Sequence, residues 1–185
     1  MVATTKHTLV ALVTNKPGVL TRMASMFRRR GFNIDSIAVG LSELPDMSRI
    51  TFIVDGTNTS VEQVRKQLDK LIDVVKVSDI SGDTTIAREL ALIKVKATSS
   101  TRSEIIEIVD IFRASIVDVA TDSVTIEVTG DEDKIKSLLN LLRGFGIKEV
   151  ARTGRIAMVR GEPGALPVEE KLARSKGRSG PDNKQ

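Results

Sequence analysis

One pattern of apolar periodicity runs through this chain twice. Thr8 to Thr14, rich in Val and Leu, predicts a strand. Pro17 to Arg30 follows, with Val19, Leu20, Met23, Met26 and Phe27 on one helical stripe and Gly31 as its stop. Asn33 to Leu41 and Ser48 to Asp55 predict two strands joined around Pro45-Asp46, the second alternating as Ile50, Phe52, Val54. Ser60 then caps a helix with the stripe Val61, Val64, Leu68, Leu71, and Val74 to Ile80 supplies a last strand. The order is βαββαβ. After Ser81-Gly82-Asp83 it returns: a strand over Leu90 to Ala97, a helix over Arg102 to Arg113, and strands over Ile116 to Ala120 and Val124 to Val128. A helix over Asp131 to Phe145 and a strand over Ile147 to Arg152 complete the second copy.

Repetition of a six-element order constrains the fold more than any single element does. It predicts an α+β chain of two tandem ferredoxin-like domains, residues 1–82 and 83–161. From Gly161 the character changes: three of the five prolines, several glycines and mixed charges leave few large apolar residues, so 162–185 is expected to be a flexible tail.

Strand faces add a second expectation. A βαββαβ sheet covers one face with its helices, so an isolated domain alternates apolar and polar along each strand. Val124, Thr125, Ile126, Glu127, Val128 does so, whereas Leu9 to Val13 and Ile37-Ala38-Val39 are apolar in both phases. The second face or edge of the first domain therefore needs a cover. A like subunit or the second domain is the cheapest candidate, and at least a homodimer is expected.

Several functions lack their residues. With no cysteine and one histidine, thiolate zinc sites, disulfides and a His-rich metal cluster within one subunit are excluded. His7, at the start of a strand, reads as a surface or edge residue rather than a catalytic base. The i, i+3 carboxylates Glu104, Glu107 and Asp110 read as a solvated helix face, and neither GxGxxG nor GxxxxGK[ST] occurs. No catalytic site is expected. The formal charge of +4 and pI of about 9.5 come largely from scattered Lys and Arg, with one cluster at Arg28-Arg29-Arg30. That cluster answers a helix dipole or docks an acidic surface. RNA recognition on this fold needs aromatic residues on the central strands, and the chain has no Trp, no Tyr and five Phe; Arg30-Gly31-Phe32 mimics an RNA-binding motif only at a helix end. No apolar run approaches the roughly 18 residues that span a membrane, and no signal-peptide core is evident, so a cytoplasmic protein is expected.

What remains is the turn Asn15-Lys16-Pro17-Gly18-Val19-Leu20. Pro suits the first position of a helix and Gly lets a ligand come close, so exposed helix-start N–H groups could take a carboxylate. A plain loop and helix start is the alternative. The corresponding loop of the second copy, Ser99-Ser100-Thr101-Arg102, lacks both Pro and Gly, so the fold does not demand them. Asn33 at the mouth of the second strand adds an amide. Supplied by the facing subunit of a side-by-side dimer, it would hold an amino-acid ligand whose aliphatic side chain lies against Val19, Leu20 and Ile34.

Asn15 to Leu20 and Arg28-Arg29-Arg30-Gly31-Phe32-Asn33-Ile34 resemble the ACT domain of the acetolactate synthase (acetohydroxyacid synthase) small regulatory subunits. The resemblance continues through Ser48 to Thr51, Gln67 to Val74, Arg88 to Leu90, Ile111 to Arg113 and Ala151 to Gly154. It implies an N-terminal ACT domain that dimerises and binds an effector, followed by an ACT-like domain. It also implies a regulator that activates a thiamine-diphosphate catalytic (large) subunit and confers feedback inhibition by valine or another branched-chain amino acid. By position, Asn15, Gly18, Asn33 and Ile34 match the effector site, with Pro17, Val19 and Leu20 as neighbours. Thiamine diphosphate, Mg and FAD are expected in the catalytic partner and no cofactor in this chain. A free-standing amino-acid-binding ACT protein regulating another enzyme or a transcription factor is the alternative.

Overall fold

The computed structural model describes residues 5–161; the tail expected over 162–185 lies outside them. The chain divides into two units, one running to Ile86 and resuming at Ala157, the other spanning Ala87–Ile156. The division therefore falls a few residues beyond the Gly82/Asp83 boundary that the turn residues had marked.

The first unit contains β1 (Thr5–Thr14), α1 (Val19–Arg29), β2 (Ile34–Leu41), β3 (Met47–Gly56), α2 (Asn58–Leu68) and β4 (Val74–Asp79). Its sheet has the order β2-β3-β1-β4 with every pair antiparallel. Register follows from the apolar phase: Leu9 and Ala11 stand opposite Phe52 and Ile50, and slipping by one residue would turn this set to the other face. Against them α1 lays Val19, Met23 and Phe27, and α2 lays Val61, Val64 and Leu68. Phe27 meets Phe52 with ring centroids 4.9 Å apart and Phe32 edge-on at 6.5 Å. Phe32 is thereby taken into the core region, which removes it as a base-stacking surface. A Cβ at Gly56 would come within 2.5 Å of the Phe32 ring, so only glycine fits there. Arg28, Arg29 and Arg30 are exposed at the end of α1.

The second unit contains β5 (Thr85–Lys96), α3 (Arg102–Ile111), β6 (Ser115–Val119), β7 (Ser123–Gly130), α4 (Glu132–Leu142) and β8 (Ile147–Arg152), in the order β6-β7-β5-β8. A further strand, β9 (Ile156–Val159), lies from Ala157 on in the first unit and pairs with β5, which itself starts before Ala87. Ile93, Val95, Val124 and Ile126 of the sheet pack with Ile105, Val109, Ile135, Leu138 and Leu142 of the helices. Its other face is half-open, and Leu92, Lys94, Thr125, Glu149 and Ala151 line a shallow recess there of about 200 Å³.

The expected ends shift where local chemistry overrides the pattern. Helix α2 is capped by Thr57, whose hydroxyl accepts from the Ser60 N–H, while Ser60 answers the Thr57 N–H as the other half of a capping box. The helix expected to reach Phe145 ends at Leu142 and tightens into a 3₁₀ turn over Arg143–Phe145, because Gly146 takes φ 93°. Strand β5 starts at Thr85, five residues before the expected Leu90, and β9 was not expected at all. Both rest on pairing between residues far apart in sequence.

The cover expected for the first sheet is found for one face within a single chain. Val10, Leu12, Thr51 and Ile53, on the side away from the helices, are all buried. On that side Arg49 donates from Nη2 to the Ala157 carbonyl at 3.0 Å, and burial pushes its guanidinium below its ordinary pKa against the opposing charge of Glu43. Leu9 to Val13 thus carry no argument for a dimer. The apolar residues of β2 still do, since Ile37, Val39 and Leu41 remain exposed on an edge strand.

His7 is buried rather than a surface residue. It stands opposite Val54, and its Nδ1 donates to Asp79 Oδ2 at 2.9 Å, which compensates for its burial. Asp79 Oδ1 accepts from the Ser81 hydroxyl and from the Ser81 N–H at 3.0 Å, and Thr8 N–H donates to the Ser81 Oγ at 2.8 Å. Burial pushes the Asp79 carboxyl up, but the Ser81 hydrogen bonds and then His7 outweigh it and hold the group below its ordinary value. A lowered folded pKa stabilises above the unfolded carboxyl value of about 4 and ceases to do so as pH falls through the folded one. Asp79→Asn is expected to destabilise by about 1 kcal/mol at neutral pH. In urea unfolding the gap to the parent should close as pH drops below about 4; a gap of equal size at every pH would rule out the ionised carboxylate as its source.

Candidate functional site

Strand β1 ends at Thr14, and the chain must reverse within four residues to begin α1. Pro17 and Gly18 do this as the central residues of a turn: Gly18 takes φ 84°, ψ −9°, and Val19 N–H reaches back to the Lys16 carbonyl at 3.5 Å. These angles are those of a type II turn, with Pro preset at the first central position and Gly supplying positive φ at the second. Pro17 is therefore a turn residue ahead of the helix rather than its first residue, because Gly18 in the left-handed region cannot be helical.

Gly18 becomes the N-cap of α1, and a glycine N-cap has no side chain to offer. No side chain caps the helix and no acidic residue lies in its first turn. Its first recorded helical bond runs from Arg22 N–H to the Gly18 carbonyl at 3.0 Å, so the N–H groups of Leu20 and Thr21 precede the ladder. A Cβ at Gly18 would meet nothing within 4 Å. The conformation, not crowding, calls for glycine here. Open N–H groups at the positive end of a helix with space before them suit an anion.

The neighbouring residues divide in their use. Asn15 is exposed while its N–H donates to the Asp46 carbonyl at 2.8 Å. Leu20 is 42% exposed, but Val19 is 4% exposed and belongs to the core, so its side chain fixes the helix rather than lining a pocket. Asn33 and Ile34 stand elsewhere. Strand β2 runs parallel to β1, so its start lies at the end of the sheet where β1 begins, and the 11-residue α1 separates it from the turn by about 16 Å at 1.5 Å per residue. Asn33 Nδ2 donates to Asp35 Oδ1 at 2.9 Å, and Ile34 packs against the core. One subunit thus brings together Asn15, Pro17, Gly18 and Leu20 and keeps Asn33 and Ile34 apart from them.

Sequence reasoning missed the carboxylate behind the turn. Asp73, just before β4, accepts Thr14 N–H on its carbonyl at 2.8 Å, the Thr14 hydroxyl on Oδ1 at 3.3 Å and the Arg22 guanidinium on Oδ2. Asp46 was also missed, at φ 59°. The sequence marks Asp46 only as part of a strand-joining turn and Asp73 only within the Gln67 to Val74 segment, because both contacts join residues distant in sequence.

The second unit builds the same place differently. Thr101 is the N-cap of α3, again without a side-chain cap, and Glu104 lies in the first turn. The Thr101 hydroxyl accepts instead from the Thr98 N–H at 3.0 Å in the loop before the helix, and the Thr98 and Ser100 hydroxyls bond to each other at 2.9 Å. Arg102 donates to the carbonyls of Ala120 and Thr121 at 3.0 and 3.1 Å. The hydroxyls of that loop bond to one another.

Residues 9–76 match the family profile described as the AHAS small subunit-like ACT domain, and residues 88–161 the one described as the small subunit of acetolactate synthase. The chain belongs to the acetolactate synthase small-subunit family. A probable acetolactate synthase small subunit of Archaeoglobus fulgidus is 58% identical over 156 residues, 84% of this chain and 98% of that protein. The acetolactate synthase small subunit of Mycolicibacterium smegmatis is 51% identical over 87% of this chain and 95% of its own length. Among solved structures, the acetolactate synthase small subunit from Thermotoga maritima superposes with a TM-score of 0.79 at 42% identity, covering 86% of this chain and 99% of that one. The two profile matches thus span both units of this small subunit. Among those residues no group of three or more acidic or His side chains is placed to hold a metal, and no helix is long and apolar enough to cross a membrane.

Substitution at Gly18 separates conformation from space. Gly18→Ala should lower stability by about 1 kcal/mol through left-handed strain alone, and Gly18→Asn by less, since Asn tolerates that region. Urea unfolding of the full chain measures both; equal, negligible losses would mean that the turn relaxes to negative φ.

Proposed function

We propose that this chain is the regulatory subunit of acetolactate synthase, without a catalytic site of its own. It binds the catalytic large subunit in the cytoplasm, raises its activity, and makes it sensitive to valine or another branched-chain amino acid. The observation that carries this reading is the uncapped start of α1 behind a left-handed Gly18, with open space beside it and no acidic residue in the first turn, where the uncapped start of α3 carries Glu104. The family match through residues 88–161 favours this over a free-standing amino-acid-binding protein. Thiamine diphosphate, Mg and FAD belong, on this reading, to the catalytic partner.

The effector's carboxylate would lie on the open N–H groups after Gly18, its ammonium on Asn side-chain and backbone oxygens, and its aliphatic chain beside Leu20. Asn33 and Ile34 join that site only from a second subunit. Strand β2 is an edge strand with Ile37, Val39 and Leu41 exposed, at 37%, 52% and 79%. Two such edges paired antiparallel about a two-fold axis bury these residues against their copies. They also bring Asn33 of the partner subunit toward the Leu41 end of β2, the end at which the turn after β1 lies. Regulation is then linkage: valine inhibits by the difference in its affinity for the active and inactive arrangements of the assembly.

Gly18→Asp tests the site. A carboxylate there repels the ligand's own and occupies its space, while the open surroundings of Gly18 let the fold accept it. In the assembly with the catalytic subunit, valine inhibition of product formation should vanish while activation largely remains; equal loss of both would count against a discrete effector site. Val39→Lys tests the dimer. Sedimentation should move toward the monomer, and valine affinity by calorimetry should fall about tenfold or more, since half the site is lost; a dimer unchanged in mass would remove β2 as the interface.

A further inference from the structure

The two units can be compared residue by residue, because their central strands pair in the same register. Val13 stands opposite Val74 in the first, and Val95 opposite Ile147 in the second. Thr14 therefore corresponds to Lys96, and Asp73 to Gly146. The buried stripe of α1, Met23 and Phe27, corresponds at the same offset to Ile105 and Val109 of α3, which equates Arg22 with Glu104. The backbone bond at this place is common to both: Thr14 N–H donates to the Asp73 carbonyl at 2.8 Å and Lys96 N–H to the Gly146 carbonyl at 2.9 Å. The side chains are not. Thr14, Arg22 and Asp73, which hold one another in the first unit, are Lys96, Glu104 and Gly146 in the second.

We propose that Asp73 is the positioning residue of the effector turn, a role that rests on reading that turn as the effector site. Its carboxylate grips Thr14, the residue before the turn, and Arg22, whose N–H makes the first recorded bond of α1 to Gly18. One group just before β4 thereby fixes both ends of Asn15–Gly18. A helix start with no capping side chain frays easily, and the clamp holds its open N–H groups in one direction relative to β1. The arrangement has an electrostatic side as well. A bare carboxylate behind the turn would repel an anionic ligand, and Arg22 neutralises it. Since the second unit folds with the shared backbone bond alone, the three side chains serve the turn rather than the sheet.

The full chain carries the test, with valine affinity by calorimetry and melting temperature read on each variant. Asp73→Ala should weaken valine binding about tenfold while the melting temperature falls by only a few degrees. Asp73→Asn, whose one amide oxygen can accept from Arg22 while its NH2 donates to the Thr14 hydroxyl, should recover part of the loss. The triple variant Thr14→Lys, Arg22→Glu, Asp73→Gly installs the second unit's residues; it should fold and bind valine no better than Asp73→Ala, which keeps the proposal falsifiable if the single variant unfolds. Binding within twofold of the parent in Asp73→Ala or the triple variant, when Gly18→Asp has lost it, overturns the role of Asp73. Binding that survives Gly18→Asp overturns the effector reading itself, and the positioning role with it.

Discussion

The antiparallel register between the central strand of each unit and its longer neighbour governs the rest of the molecule. Pairing β1 with β3 sets Leu9 and Ala11 opposite Phe52 and Ile50, and pairing β5 with β7 sets Ile93 and Val95 opposite Ile126 and Val124. Each set makes one continuous apolar surface that the two helices of its unit cover. A slip of one residue would exchange the core phase with its opposite in every strand at once. The register also decides where each central strand ends, and hence where the first turn of each unit must form.

From that common frame the units diverge in turn chemistry. The first leaves its central strand through Pro17 and a left-handed Gly18, which starts α1 without a side-chain cap. The second leaves through a run of hydroxyl residues that bond to one another, with Arg102 donating to the carbonyls of Ala120 and Thr121. Neither helix start has a side-chain cap, but Glu104 in the first turn of α3 repels an anion, whereas α1 has no acidic residue there and keeps donors that water or an anion must meet. The repeat thus supplies an internal control for what the fold needs and what it does not.

Much of this was legible in the sequence, and the exceptions share a cause. Helical stripes such as Val19, Met23, Phe27 and alternations such as Ile50, Phe52, Val54 are local patterns, and they located most of the elements to within a few residues. The misplaced features were those that depend on distant partners. Strand β9 and the early start of β5 need each other, and His7 is buried because Asp79 meets it. In the site, the sequence picked out Asn15, Pro17 and Gly18 because Pro and Gly carry backbone meaning by themselves. It missed the role of Asp73, which lies in a segment shared with the family but whose partners Thr14 and Arg22 are distant in sequence.

By itself the sequence determined the repeated βαββαβ order, the two sheets and the family, because residue periodicity and ordered motifs are properties of the chain read in one dimension. Only the tertiary structure decided that Val19 belongs to the core, that Asn33 and Ile34 stand at the opposite end of the domain from Gly18, and that Asp73 ties Thr14 to Arg22. Strand direction is the reason. Whether two residues of like chemistry form one site depends on which end of a sheet each strand presents. Pairing across the sheet sets that, and neither residue carries it in its own neighbourhood.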